Sequence, residues 1–262
     1  MNRRTVVRIP RFLYRVYARR LWKSLVRTQV RPQHVAMIID GNRRWAKQVG
    51  LTDAAAGHRA GAAKMIEFLQ WCDRAHIGTV TLYLLSRDNL TSRSSNELTQ
   101  LMTIIGHLAE QIAESGRFQV QHVGSTEGLA PELAETLERV VTATSGATGP
   151  HVNLAIGYGG RNEIVDAMRS IVRSHADSGG SIQELADIVT PEMIGEHLYT
   201  GGQPDPDLMI RTSGEQRLSD FMLWQTAHAE FYFVEALGPD LREVDFLRAL
   251  RDFGKRERRY GS

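Results

Sequence analysis

Residues 34–50, HVAMIIDGNRRWAKQVG, contain the clearest structural signal in the chain. The apolar run 35–39 is too short for a helix and is typical of a buried strand in a parallel sheet. It leads directly into Asp40, Gly41 and Asn42. Ligands bind at the carboxyl edge of such sheets, where the next helix presents free backbone N–H groups. The stretch therefore predicts a carboxylate at a ligand site.

Two arginines, Arg43 and Arg44, follow at the same corner of the predicted sheet. One carboxylate, two guanidinium groups and a helix start favour a site for a metal-bound polyphosphate over a site for a neutral ligand. The alternative is purely structural. Asp40 would then only cap the helix, since Asp is a preferred N-cap residue, and the arginines would form a solvated helix face.

The stretch closely resembles the first signature block of the cis-prenyltransferases, the undecaprenyl and dehydrodolichyl diphosphate synthase family. That block reads H-x-A-x-x-x-D-G-N-x-R-W-A, and a position that is often Gly in the family is Arg43 here. The resemblance implies that Asp40 coordinates Mg²⁺ on an allylic diphosphate. It also implies that this diphosphate binds among Gly41, Asn42, Arg43, Arg44 and Trp45.

Length and cysteine content favour a single α/β domain made in a reducing compartment. The chain has 262 residues and one cysteine, Cys72, which lies in an apolar helical pattern and is expected to be a buried thiol without a disulfide. The sequence shows neither a signal peptide nor an apolar run of membrane-spanning length. These features predict a cytoplasmic protein.

The net charge of +2 is the sum of two unlike parts. Residues 1–31 hold ten Lys or Arg and no acid, whereas the remaining residues hold 22 basic and 30 acidic side chains. The body is therefore acidic. A nucleic-acid-binding protein is expected to carry a basic patch on its folded domain, so the composition argues against that class.

Residues 1–33 are expected to form an extension to a catalytic domain at 34–262. Within the extension, residues 9–31 have the pattern of a basic amphipathic helix. One interpretation is a peripheral anchor at the inner face of an anionic membrane. The other is a helix packed on the body or on a second subunit. An Arg-rich start without acids also resembles a transit peptide.

Further blocks of the family follow in order along the chain. The sequence GHRAG at 57–61 is similar to the block G-H-x-x-G and implies that His58 lies near the allylic diphosphate. An arginine that the family usually has a few residues before this histidine is missing here, near Asp53.

The segment 86–98 resembles S-x-E-N-W-x-R-P-x-x-E. Ser86 and Asn89 match directly, and Arg93 and Glu97 match after a one-residue insertion. By this resemblance, Ser86 and Asn89 are expected on the proton-transfer path and Arg93 at the substrate.

A second strand is predicted at 79–85, and a long helix at 97–114. In the family this helix forms one side of a hydrophobic tunnel, and Leu84 occupies a tunnel position that is small in long-chain enzymes. Close-packed walls resist overfilling by ~1–3 kcal/mol, so a leucine there predicts a short product. The alternative is that Leu84 is only a core residue of the strand.

Further predicted elements are a strand at 118–123, a helix at 131–144 and a strand at 151–156. They are followed by a second segment that is rich in charged and polar residues. The sequence DLMIRTSGEQRLS closely resembles D-L-x-I-R-T-x-G-E-x-R-x-S. Two guanidinium groups and a hydroxyl on one loop suit a diphosphate. The resemblance implies that Arg211, Arg217 and Ser219 bind isopentenyl diphosphate and that Glu230 supports Mg²⁺. It also implies a homodimer in which a tail with Arg259 and Gly261 reaches the neighbouring site.

The sequence is thus identified as a member of the cis-prenyltransferases over about residues 34–261, with a mostly parallel α/β sheet, flanking helices and a hydrophobic tunnel as the expected fold. The resemblance implies a Mg²⁺-dependent condensation of isopentenyl diphosphate with an allylic diphosphate such as geranyl diphosphate. A short Z product such as (2Z,6E)-farnesyl diphosphate is expected. The alternatives are a longer-chain polyprenyl diphosphate synthase and a non-catalytic subunit of a heteromeric synthase. No D-D-x-x-D motif of trans-prenyltransferases occurs.

Overall fold

The computed structural model describes residues 11–27 and 30–256. Its strands are β1 (His34–Ile38), β2 (Thr79–Ser86), β3 (Gln119–Val123), β4 (His151–Tyr158), β5 (Leu208–Arg211) and β6 (Glu230–Phe233). They form a six-stranded sheet in the order β3-β4-β2-β1-β5-β6, and every neighbouring pair is parallel. The expected parallel α/β fold is confirmed.

Ten α-helices and one 3-10 turn accompany the sheet within the described residues. The helices are α1 (Arg11–Arg27), α2 (Asn42–Gln48), α3 (Ala54–Arg74), α4 (Arg87–Ser92), α5 (Ser95–Glu114), α6 (Pro131–Thr144), α7 (Gly160–Asp177), α8 (Ile182–Ile188), α9 (Pro191–His197) and α10 (Glu243–Lys255). The 3-10 turn is Gly238–Asp240. None of the described helices is long and apolar enough to cross a membrane.

The continuous apolar run of β1 is explained by burial on both faces of the sheet. Val35 and Met37 pack into the larger hydrophobic core, which includes α3, α5 and α6. Ala36 and Ile38 face a smaller core, to which Phe221 contributes. Parallel strands covered on both sides need apolar residues at every position rather than at alternate ones. Burial on both faces of the sheet therefore explains the continuous apolar composition of β1.

The order of the strands brings three strand ends together at one edge of the sheet. β1 lies between β2 and β5, with Ile38 in register with Arg211. The chain leaves β1 through Gly41, whose φ of +93° is readily adopted only by glycine, and enters α2 at once. Asp40, Ser86 and Arg211 therefore end neighbouring strands.

Helix α1 packs on α10. Ala18, Leu21 and Leu25 are buried, and the Trp22 indole donates a hydrogen bond to Glu243 at 2.9 Å. The guanidinium of Arg74 lies 5.3 Å from the Trp22 ring. Of the two interpretations of residues 9–31, a helix packed on the body describes this part of the chain.

Candidate active site

A cavity of about 480 Å³ opens at the carboxyl edge of the sheet. This volume lies within the usual range for small-molecule sites. Its mouth is polar and charged, and its depth is lined by apolar side chains of β2, α3 and α5. The apolar lining includes Ala62, Met65, Leu84, Leu101, Ile105 and Leu108. A charged mouth over an apolar interior suits a ligand with an anionic head and a hydrocarbon chain.

Asp40 and Arg211 meet at the mouth of this cavity. The Asp40 carboxylate accepts hydrogen bonds from Arg211 Nη2 at 2.8 Å and from the Gly41 backbone N–H at 2.6 Å. Burial raises the pKa of Asp40, but these two hydrogen bonds and the positive charge of Arg211 outweigh it and hold the pKa below its ordinary value. Asp40 is therefore an ionised carboxylate. The predicted juxtaposition of the early aspartate with the late arginine is present.

Arg211 also organises the loop that follows β5. Its Nη1 donates to Ser219 Oγ at 2.8 Å and to the carbonyl oxygen of Arg217. The guanidinium is buried, and its Nε has no hydrogen-bond partner among the described residues. The side chain of Arg217 points to the surface and pairs with Glu215. The three residues predicted to bind isopentenyl diphosphate therefore lie on one short segment.

Two arginines and a histidine converge on Glu97. Arg93 Nη1 lies 2.5 Å from Glu97 Oε1, and both Arg43 and His58 lie 3.6 Å from the same oxygen. Burial lowers the pKa of His58, and the charge of Arg93 adds to this effect, so the ring is neutral at pH 7. The family block matched Glu97 but assigned it no role. The structure makes it the shared anion of this cluster.

Glu215 connects Arg44 to Arg217. One of its oxygens lies 3.4 Å from Arg44 Nη2, on α2, and the other pairs with Arg217. The arginines of the site are therefore held by carboxylates of the same chain. A diphosphate carries several charged oxygens and can replace these carboxylates with charge-assisted hydrogen bonds.

The end of β2 contributes Ser86 and Asn89 to the cavity wall. Ser86 caps α4, and its Oγ accepts a hydrogen bond from the Asn89 backbone N–H at 3.1 Å. Both side chains line the cavity, together with Leu84 and Tyr83. Leu84 is partly buried against the larger core and faces the cavity. Leu84 therefore lies in the cavity wall, and its effect on product length stays a prediction.

Tyr83 is a site residue that the motif comparison missed. Its ring stacks on Phe221 with centroids 4.4 Å apart, and its hydroxyl donates to the Ser219 carbonyl at 3.3 Å. Burial raises the pKa of Tyr83, so the hydroxyl remains protonated. The sequence feature that could have indicated Tyr83 was its place in a predicted strand directly before polar residues. Alternation alone could not distinguish a core tyrosine from a cavity tyrosine.

Some predicted site residues lie elsewhere. The indole of Trp45 donates to Asp240 Oδ1 at 3.0 Å, and Trp45 is absent from the described residues that line the cavity.

Glu230 begins β6, in register with Leu208, and pairs with Arg256. Through Leu208 it is in register with Val35, five residues before Asp40 in the chain. The expected pairing of Asp40 and Glu230 on one metal ion is not formed within this chain. Arg259 and Gly261 lie outside the described residues.

The donor set at the mouth fits a magnesium ion that arrives with its substrate. The described residues contain no group of three His, Cys, Asp or Glu side chains that could hold a metal alone. Mg²⁺, however, usually keeps several waters and binds through one or two carboxylates plus substrate phosphates. Asp40 supplies one ionised carboxylate, with lone pairs beyond the two hydrogen bonds it accepts.

Comparison with known proteins agrees with this geometry. The sequence model of a family described as putative undecaprenyl diphosphate synthase matches residues 38–261. An isoprenyl transferase 1 from Streptomyces avermitilis is 53% identical over 262 residues, covering the whole of both chains. A (2Z,6E)-farnesyl diphosphate synthase from Mycolicibacterium smegmatis is 50% identical over 252 residues and 95% of both chains.

A solved structure is similar as well. The lavandulyl diphosphate synthase of Lavandula x intermedia, in complex with dimethylallyl diphosphate, superposes with a TM-score of 0.82 at 34% identity. The match covers 88% of this chain and 98% of that chain. Fold, family model and full-length relatives agree, and the chain belongs to the undecaprenyl diphosphate synthase family, the cis-prenyltransferases.

Proposed function

We propose that this protein condenses isopentenyl diphosphate with a short allylic diphosphate, preferably geranyl diphosphate, to form (2Z,6E)-farnesyl diphosphate or a similar short Z product. Family membership supports the reaction class. The observation that carries the proposal is the contact of Asp40 with Arg211 at 2.8 Å above an apolar cavity. It supports the proposal because, with Asp40 assigned to the allylic diphosphate and Arg211 to isopentenyl diphosphate, the two substrates would lie side by side, as a reaction between their carbon chains requires.

In this proposal the allylic diphosphate binds among Gly41, Asn42, Arg43, Arg44, His58 and Arg93. Isopentenyl diphosphate binds to Arg211, Arg217 and Ser219. A bond forms between C4 of the isopentenyl unit and C1 of the allylic chain, the C1–O bond breaks, and diphosphate leaves with the electron pair. C2 of the isopentenyl unit then loses a proton, which passes along Ser86 and Asn89 to the departing diphosphate, and the electrons of the broken C–H bond form the Z double bond between C2 and C3. The arginines stabilise the charge of the departing diphosphate.

The Asp40 carboxylate is the proposed protein ligand for Mg²⁺ on the allylic diphosphate. The ion supplies charge stabilisation to the leaving diphosphate when it is bound. Arg211 holds Asp40 ionised and oriented before either substrate arrives. A fixed carboxylate needs no reorganisation when the metal-bound substrate enters.

The short product follows from the wall that Leu84 forms. Apolar side chains of β2, α3 and α5, Leu84 among them, line the depth of the cavity. We expect Leu84→Ala to lengthen the products, because removing the leucine side chain deepens the cavity. Chromatography of radiolabelled products after dephosphorylation measures their length.

The matched control for this prediction is Leu137→Ala, which shortens a buried leucine of α6 that does not line the cavity. Its products are expected to keep the wild-type length. Wild-type products of C50 or longer would contradict the short-tunnel proposal and favour the longer-chain alternative.

We also propose that the protein is a homodimer. Helix α7 carries Val165 and Val172, which are 46% and 40% exposed and lie two turns apart on one face. Strand β6 forms one edge of the sheet, and its Phe233 is 37% exposed. Apolar side chains in these places suit contact with a second copy. Analytical ultracentrifugation measures the oligomeric state.

Membrane contact through residues 9–31 is proposed to be electrostatic. The apolar side chains Ala18, Leu21 and Leu25 are buried and cannot insert into lipid. Arg19, Arg20 and Lys23 are exposed. Each cation near an anionic membrane surface contributes ~1 kcal/mol of attraction. Co-sedimentation with anionic vesicles should therefore decrease steeply as the salt concentration rises.

One assay tests the central proposal. Purified protein is incubated with labelled isopentenyl diphosphate, Mg²⁺ and either dimethylallyl, geranyl or farnesyl diphosphate. The expected result is a single condensation with geranyl diphosphate as the preferred partner. Inactivity of the purified chain with all three allylic substrates would favour a non-catalytic subunit instead.

A further inference from the structure

The loop that presents Ser219 contains a strained turn. Ser219, Asp220 and Met222 have φ values of +51°, +62° and +47°, in the left-handed region that side-chain-bearing residues rarely adopt. Residues in sparsely populated backbone regions cost of order 1–3 kcal/mol each and persist only where the surroundings hold them. Ser219 is the hydroxyl partner of Arg211, so this turn sets the geometry of the late arginine site.

The junction between β4 and α7 holds the turn. Gly160 N donates to the Asp220 carbonyl at 2.7 Å, and Arg161 N donates to the Asp220 carboxylate at 3.2 Å. Met222 N donates to the Tyr158 hydroxyl at 3.1 Å. A Cβ on Gly160 would lie 2.9 Å from Leu223 Cγ and 3.0 Å from the Asp220 carbonyl oxygen. Glycine at this position allows the turn to approach the junction.

Behind the junction lies Glu163, a carboxyl group with no exposed surface. It accepts hydrogen bonds from the Tyr158 hydroxyl, from the Tyr199 backbone N–H at 3.0 Å, and from Gln225 Nε2 at 3.0 and 3.1 Å to its two oxygens. All these donors are uncharged. Burial raises the pKa of Glu163, although the hydrogen bonds act in the opposite direction. An apolar side chain would occupy this space without the cost of desolvating a carboxyl group.

The hydrogen bonds explain why a carboxyl group is useful here. Two of its partners also hold the loop: Tyr158 accepts from Met222, and Gln225 belongs to the segment that follows the turn. A carboxylate can accept up to about four hydrogen bonds, which an amide or a hydroxyl cannot do. Glu163 thus joins the β4–α7 junction to Met222, through Tyr158, and to Gln225, three residues later in the chain.

We infer that Glu163 is a positioning residue for the loop that binds isopentenyl diphosphate. Acting through Tyr158 and Gln225, it holds the strained turn so that Ser219 Oγ and the Arg217 carbonyl stay within reach of Arg211. Glu163 is absent from the described residues that line the cavity. The positioning role concerns the loop itself, whereas the identity of the substrate rests on the proposed function.

The test combines limited proteolysis with steady-state kinetics of the full chain. Trypsin cleaves after Arg217, whose side chain is 61% exposed, only when the loop opens locally. In Glu163→Ala, fragment masses should show cleavage after Arg217 about tenfold faster than in the wild type, because cleavage follows the population of the open loop. The KM for isopentenyl diphosphate should rise about tenfold, and the KM for the allylic substrate should stay within about threefold.

Tyr158→Phe is the second variant, and Thr144→Val is its matched control. Each substitution removes a buried hydroxyl that accepts a backbone N–H, from Met222 at 3.1 Å and from Val120 at 3.0 Å respectively. Tyr158→Phe should accelerate cleavage after Arg217, and Thr144→Val should not. Glu163→Gln preserves the side-chain shape and part of the acceptor capacity, so it should restore most of what Glu163→Ala loses.

Unchanged cleavage after Arg217 in folded Glu163→Ala would overturn the inference, and so would unchanged cleavage in Tyr158→Phe if Glu163→Ala does not fold. An equal acceleration in Thr144→Val would overturn it as well, since general destabilisation would then explain the data. Faster cleavage with an unchanged KM for isopentenyl diphosphate supports the positioning role. That result contradicts only the proposed substrate of the loop.

Discussion

At the scale of the residue, the contact between Asp40 and Arg211 shows how one pair of side chains can take part in the binding of two ligands. Arg211 is buried and Asp40 is its nearest anion, at 2.8 Å. In a partly buried setting such a pair is held more firmly than an exposed one, because removal of one member leaves an unpaired charge. The same arginine donates a hydrogen bond to Ser219, so the contact connects the two proposed diphosphate sites.

Replacing Asp40 tests this arrangement. Asp40→Asn keeps the shape of the side chain but removes the charge that pairs with Arg211 and that the proposed binding of Mg²⁺ needs. We expect turnover to decrease on the order of 100-fold or more, which is typical for the loss of one preorganised electrostatic group. Steady-state rates and the thermal unfolding midpoint are measured on the same preparation.

The control is Asp73→Asn, which removes a carboxylate paired with Arg117 at 2.6 Å outside the cavity. Its turnover should stay near the wild-type value. Near-normal turnover of folded Asp40→Asn would refute the role assigned to Asp40.

His34 predicts a pH dependence of stability. The ring has no exposed surface, and both of its nitrogens form hydrogen bonds of 2.7 Å, to the Pro204 carbonyl and to Thr81 Oγ1. Burial lowers the pKa of His34 from 6.5 to about 4. Above pH 6.5 neither state binds this proton, so the full stability is present. As the pH falls toward 4 the unfolded state is protonated first, and about 3 kcal/mol is lost.

Urea unfolding at pH 7 and pH 4.5 measures this loss. Other histidines, including His58 and His122, also have lowered pKa values because of burial. The comparison with His34→Gln therefore isolates one group. The decrease in free energy of unfolding between the two pH values should be about 2 kcal/mol smaller in the variant. Equal decreases in both proteins would show that His34 does not titrate in this way.

At the scale of the element, the packing of α3 on α2 sets the position of Asn42. A Cβ on Gly61 would lie 2.5 Å from Asn42 Oδ1, and a Cβ on Gly57 would lie 2.2 Å from the Asn42 carbonyl oxygen. Two glycines one turn apart thus let the first turn of α2 lie directly against α3. The glycines of the GHRAG block have this physical reason, which the motif alone did not supply.

Gly61→Ala should displace Asn42 and weaken binding of the allylic diphosphate. We expect the KM for the allylic substrate to rise about tenfold, which corresponds to about 1.4 kcal/mol, with the KM for isopentenyl diphosphate unchanged. The control is Gly106→Ala on α5, where a Cβ would meet Leu133 at an ordinary 3.8 Å. A similar rise in both variants, or in neither, would argue against the glycine-dependent placement of Asn42.

At the scale of the whole molecule, α1 is part of the folded body. It covers α10 and contacts it through buried leucines and through stacked arginines, with Arg248 lying 5.2 Å from the Tyr17 ring. Helix α10 follows the 3-10 turn, whose Gly238 N donates to the Asp40 carbonyl at 2.8 Å. The first helix and the active-site corner are therefore connected through one continuous segment.

Leu21→Ala tests the structural contribution of α1. The side chain is 5% exposed, and truncating a buried leucine typically costs ~2–5 kcal/mol of stability. Chemical denaturation should show a loss in this range, while Arg20→Ala on the exposed face should change stability by less than about 0.5 kcal/mol. An unchanged stability of Leu21→Ala would mean that α1 does not contribute to the global fold.

The amino-acid sequence was sufficient for the family and for several of the main elements of the fold. The run 35–39, the block 208–219 and the helical periodicities are local signals, and they predicted β1, the late arginine loop and α5 within a few residues. The short, direct connections from strand to polar loop made Asp40, Ser86 and Arg211 recognisable in advance. Local patterns of this kind depend on burial and backbone geometry, which nearby residues largely set.

Tertiary structure alone decided which side chains meet. It placed Glu97 and Glu215 on the arginines, directed Trp45 to Asp240, separated Glu230 from Asp40, and buried Glu163 behind a strained turn. It also packed α1 on α10. These contacts join residues far apart in the chain, and their formation depends on strand order and register. No local sequence pattern contains that information, because the free energy of such a contact exists only once the sheet has brought its partners together.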